Sequence, residues 1–197
     1  MRIARSVRVL VWGMALRGCA ALAASPVMAV PPSGSGQSQT MTFTFTDPRG
    51  WQDLGVVNVL INNFLDGRKA CYLAYSRSAG VLYLVADNGG TLSQGLVPGG
   101  SGSVSNGQCT VAAAGSSASG AGNTLTLVLN LSFSAAFGGN KIVYMAAGDQ
   151  EGSNSGWETL GTWTVPFTLP GTIAVVNLSP PRVAAPPGTT ETFLPPC

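Results

Sequence analysis

The residues of this chain that could do chemistry are carboxylates, serines, lysines and aromatics, because it contains no histidine. That removes the commonest general base, a frequent metal ligand and the usual switch near neutral pH. Among its eight acidic residues, the pairs Asp47/Asp53 and Glu151/Glu158 have the residue types of a glycosidase. A catalytic pair needs a cleft and supporting groups, and solvated loop charge accounts for both pairs. The many serines include no G-x-S-x-G elbow. A Ser–Lys dyad would need Lys69 or Lys141, each at the start of a strand-like segment. No catalytic residue is assigned, and the chain reads as a non-enzyme.

Binding chemistry has two candidates. Asp149, Glu151 and Asn154 share one loop, and calcium favours several loop oxygens. Without an Asp-x-Asp-x-Asp series, the simpler reading is a turn in which Asp149 caps backbone N–H groups. No metal or other cofactor is therefore expected, and calcium stands as the alternative. Trp51, Trp157 and Tyr72 could form a flat sugar-stacking surface, which requires aromatics left exposed. Trp163 alternates with Thr162 and Thr164 and reads as core. Asn130 and Asn177 open glycosylation sequons; both read as chance matches.

The N-terminus reads as an export signal. MRIARSVR supplies a positive start, VLVWGMAL an apolar stretch, and Val27-Met28-Ala29 a small-residue site. Cleavage is expected after Ala29. A retained anchor is disfavoured because Arg17 and Pro26 interrupt the apolar run. A lipoprotein signal at Cys19 and a start at Met14 are the other readings. Four of the ten basic residues lie in this segment, so removal leaves six against eight acidic ones, a net charge of −2. That balance carries no footprint for nucleic acid or anionic lipid. No membrane span is expected after signal removal. The expected location is secreted, periplasmic or cell-surface.

Three cysteines then remain, in a compartment where disulfides persist. Cys71 lies in KACYLAYS and Cys109 in GQCTVAA. A bond between them is expected, with Cys197 left as a free thiol, an intermolecular link or an accident of the reading frame.

These residues must be positioned by short strands. TMTFTFT (40–46) alternates strictly, with Met41, Phe43 and Phe45 on one side. Further strands are predicted over 54–61, 69–76, 81–87, 109–114, 124–133, 141–147 and 160–165, with a short one near 92–97. Residues 30–39 read as a linker and 114–123 as a flexible loop. No segment of the mature chain shows a sustained helical period. Short strands between turn signals indicate an all-β, immunoglobulin-like sandwich of about seven to nine strands. The organisation expected is a signal peptide over 1–29, a linker over 30–39, a sandwich over 40–166 and a Pro-rich tail over 167–197.

The run QTMTFTFTDPRGWQDLGVVNVLINNFLDGRKACYLAYSRSAGVLYLVAD, followed by NTLTLVLNLSFSAAFGGNKIVYMAAGDQEGSNSGWETLGTW, resembles a module repeated in large secreted proteins of soil bacteria, acidobacteria especially. Its second half also resembles bacterial immunoglobulin-like and fibronectin type III-like modules. Those carry an Asp-x-x-Gly-Asn-Ser loop; here Asp149 to Ser155 is one residue longer. The resemblance implies a sandwich in a modular extracellular setting and no activity. The tail 176–193 echoes 30–43, reading either as the start of a second copy or as a Pro-rich linker. The expected function is an exported structural, spacer or adhesion-type module. The alternative is a small carbohydrate- or ligand-binding module, its partner an extracellular glycan or protein.

Overall fold

The computed structural model describes residues 23–167. Most of the segment expected to be an export signal, with Cys19, and the tail from residue 168 with Asn177 and Cys197, lie outside the described residues. Eleven strands run in chain order: β1 (Ser25–Val30), β2 (Ser33–Ser35), β3 (Ser38–Thr46), β4 (Leu54–Asn62), β5 (Cys71–Ser76) and β6 (Val81–Leu84), then β7 (Ser103–Ser105), β8 (Cys109–Ala121), β9 (Thr124–Phe133), β10 (Gly139–Asp149) and β11 (Glu158–Val165). One sheet has the order β1-β3-β9-β8-β7 and the other β2-β11-β10-β4-β5-β6. The described residues contain no α-helix, only two single 3-10 turns at Trp51–Asp53 and Ala135–Phe137.

Alternation in the sequence becomes the two inner faces. Met41, Phe43 and Phe45 of β3 and Leu125, Leu127 and Leu129 of β9 are buried. They meet Val57, Val59 and Ile61 of β4 and Val143 and Met145 of β10 in one cluster. Sheet sandwiches bury such facing apolar sets, and Trp163 of β11 joins them at 3 % exposure. Its Nε1 donates to Gly36 O at 2.8 Å, so the polar edge of the indole is satisfied where it is buried.

The strands define two poles. Leu54 pairs with Asp149 and Thr46 with Thr124 at the first. Ile61 pairs with Cys71 and Cys109 with Phe133 at the second. Ser25 pairs with Thr46, so the described chain enters at the first pole. Val165 pairs with Gly139, so β11 ends at the second.

Several boundaries differ from the sequence reading. Residues 25–30, assigned to the signal and its cleavage site, form β1 against β3, with Ala24 and Ala29 buried. A cut after Ala29 would remove nearly all of that strand. Residues 30–39 are mostly strand rather than linker: β2 runs parallel to β11, and β3 begins at Ser38. Residues 114–121 continue β8 along β9 past a register shift between Ala112 and Ser117. The segment 92–97 contributes only the bridges Val85–Leu92 and Leu82–Leu96.

Candidate functional site

The densest gathering of chemistry lies at the first pole. Asp47 follows β3 and opens a turn in which Gly50 N–H donates to Asp47 O at 3.0 Å. Gly50 has φ 111, a left-handed backbone that favours glycine. Asp53 closes the 3-10 turn before β4. Asp149 ends β10, and Glu151 lies in the loop beyond. These segments converge because β3 and β10 belong to opposite sheets that end at the same pole.

Arg49 is the hub. Its guanidinium reaches Asp53 Oδ2 at 2.6 Å, Asp149 Oδ2 at 2.7 Å and Glu151 Oε2 at 2.7 Å. Asp149 Oδ1 accepts from the backbone N–H groups of Glu151 and Ser153 at 3.0 and 2.8 Å. Burial works against the Asp149 anion, but the Ser153 N–H and Arg49 outweigh it and hold the carboxyl below its ordinary value. Asp53 and Glu151 together raise the Arg49 pKa further. Asp47 is fully buried. Its Oδ1 accepts from Arg49 N–H at 2.8 Å, while its Oδ2 is buried and accepts no hydrogen bond from the described residues.

Of the loop triad read from sequence, Asp149 and Glu151 enter this cluster. Asn154 does not: its Oδ1 accepts from Gly156 N–H at 2.7 Å, closing the loop on itself. Asp47 and Asp53 stand in its place, brought in from a distant stretch of the chain by the sheet topology. Asp149 does cap backbone N–H groups, as the turn reading expects. The other carboxylate pair is separated in role, since Glu158 is exposed at the start of β11.

The three aromatics do not form one surface. Tyr72 of β5 and Trp157 meet on the outer face of the six-stranded sheet, ring centroids 5.7 Å apart at 69°. Both are half-buried and pack on Leu60 and Tyr144. They line a cleft of about 230 Å³ with Leu65 and Gly67. An edge-to-face pair presents no flat platform. Trp51 lies elsewhere, against β8: a Cβ at Gly120 would overlap its indole, so only glycine permits that packing.

At the second pole, Cys71 and Cys109 are bonded and buried. A cleft of about 530 Å³ opens nearby, lined by Asn63, Phe64, Arg68, Asp87, Phe137 and Lys141 among others. Lys141 is only 5 % exposed, and burial pushes its pKa down. Its Nζ donates to Asn63 Oδ1 at 2.5 Å and Gly138 O at 3.2 Å, 4.3 Å from the Phe137 ring centroid. No serine is among these partners, and Lys69 is exposed. Asn130 is tied into the sheet, its Nδ2 donating to Ala114 O at 3.2 Å.

Sequence reasoning reached Asp149 and Glu151 but missed Arg49 as the hub and Asp47 and Asp53 as partners. The signal available was DPRGWQD, an Asp-turn with a cation two residues on. No protein-family model, curated protein or solved structure matches the chain.

Proposed function

We propose that this chain is an exported, non-catalytic spacer or adhesion-type module with an immunoglobulin-like fold. The observation that carries the reading is its threading: the described chain enters at one pole and leaves at the other. A module built this way extends a chain end to end. The strand order supports the fold assignment. With the short edge strands β7 and β2 set aside, the orders β1-β3-β9-β8 and β11-β10-β4-β5-β6 are consistent with a variable-type domain, in which two extra strands extend the three-stranded sheet. The disulfide departs from that plan, joining β5 to β8. Its presence supports an oxidising compartment. Among the described residues no helix is long and apolar enough to cross a membrane.

The alternative is a ligand-binding module, favoured by the Tyr72–Trp157 pair beside its cleft. Titration with soluble glycans, read by tryptophan fluorescence, separates the two. A spacer gives no saturable change. A saturable quench that Trp157→Ala abolishes would replace the spacer reading with the binding one.

A further inference from the structure

We propose that the acidic cluster at the first pole is a calcium site that ties the two sheets together. Among the described residues four carboxylates, Asp47, Asp53, Asp149 and Glu151, face a single cation, Arg49. Fully ionised, they leave three negative charges uncompensated. Arg49 serves them unevenly. Its side chain is 30 % exposed and takes Asp53, Asp149 and Glu151 at 2.6–2.7 Å. It comes no closer than 3.9 Å to Asp47.

Asp47 also holds a wholly buried oxygen, Oδ2, with no donor among the described residues. A buried, unpaired carboxylate oxygen is costly unless a cation meets it. That oxygen is the one buried carboxylate atom of the cluster left without a partner among the described residues. The spacing accommodates calcium. One carboxylate oxygen each from Asp47, Asp53 and Asp149 lies within 4.8 Å of the others. Calcium takes oxygens at about 2.3–2.6 Å, so two ligands across one ion stand up to about 5 Å apart; magnesium, at about 2.0–2.1 Å, demands a tighter set. Water completes such a shell in loop sites. Asp47 extends from β3 in one sheet, and Asp149 ends β10 in the other. An ion between them closes the sandwich at the pole opposite the disulfide.

The test uses the full-length exported protein, stripped with a chelator and titrated with calcium chloride in a calorimeter and in thermal melts. One site is expected with a Kd of about 10⁻⁴–10⁻³ M, the range of extracellular modules, with a higher Tm in calcium and at least tenfold weaker binding of magnesium. Asp53→Asn, at a side chain 20 % exposed, and Asp47→Asn should each weaken calcium binding by about tenfold or more. Glu158→Gln, outside the cluster, should not. If buried Asp47→Asn fails to fold, Asp53→Asn carries the result. No heat and no Tm change in about 10 mM calcium overturns the proposal and leaves Arg49 as the cluster's only cation. A response that survives Asp53→Asn overturns it equally.

Discussion

Ser116 sits where the β8–β9 ladder loses register, between Ala112 and Ser117. There its hydroxyl stands in for a missing rung. It donates to Ala112 O at 2.6 Å and accepts from Asn130 N–H at 2.9 Å, at 4 % exposure. Removing it leaves two part-buried backbone groups without that partner, and each unsatisfied buried group costs about 1–3 kcal/mol. Ser116→Ala should therefore lower unfolding free energy by about 1–3 kcal/mol in chemical denaturation, while Ser119→Ala, further along the same strand, should change little. Charged residues set a second expectation. The Arg68 guanidinium and backbone N–H bring Asp66 down from 3.8 to about 2, and Asp149 is also depressed. A carboxyl depressed on folding stabilises the native state above its unfolded pKa and loses that contribution as pH falls through the folded one. Thermal stability should accordingly be level at mildly acidic pH and decline between about pH 4 and pH 2. Asp66→Asn should flatten part of the decline, by a small amount because the pair is exposed.

Strands with strong alternation were legible from sequence, and those held by backbone pairing alone were not. β3, β4, β9 and β10 lie within a residue or two of their predicted bounds because apolar residues at every second position leave one face to bury. β2 reads Ser-Gly-Ser and the far half of β8 Gly-Ser-Ser-Ala-Ser-Gly-Ala. Such residues carry no β signal of their own, and only the neighbouring strand makes them strand. The acidic cluster was half legible for a related reason: Asp149 and Glu151 are sequence neighbours, whereas Arg49 joins them through topology. β1 was hidden differently. Its SPVMAV carries the small-residue spacing of a peptidase site, yet Ala29 packs into the core and Phe43, Phe45 and Thr46 pair with the strand. A cut that keeps β1 precedes it, and Ala21-Leu22-Ala23 offers the same spacing just upstream. Intact mass of secreted protein should place the mature N-terminus at Ala24, not Val30. Protein made to begin at Val30 should melt at a lower temperature and aggregate more readily, because it exposes the edge of β3.

At the scale of the whole molecule, the sandwich is pinned across its two sheets at both ends. β3 spans nine residues, so at about 3.3 Å per residue the poles stand roughly 30 Å apart. The Cys71–Cys109 bond joins β5 of one sheet to β8 of the other at the second pole, closing a sequence separation of 38. Constraining a loop of that length in the unfolded chain is worth about 4 kcal/mol on the chain-entropy account, a large share of a domain's usual net stability of about 5–15 kcal/mol. Both sulfurs lie in the continuous apolar core, so small apolar replacements leave its packing nearly intact. Cys71→Ala/Cys109→Ala should therefore keep the β-rich circular dichroism while losing about 4 kcal/mol in denaturant. A loss below about 1 kcal/mol would mean that the unfolded chain is already compact without the bond. The charge network around Arg49 shares no partner with the disulfide, so the two ties should act independently. Combining Arg49→Gln with the cysteine pair should give a total loss within about 0.5 kcal/mol of the separate losses. A larger discrepancy would mean that the poles communicate through the β3–β9 and β4–β10 ladders, and that the sandwich responds to tension as one unit rather than as two independent clasps.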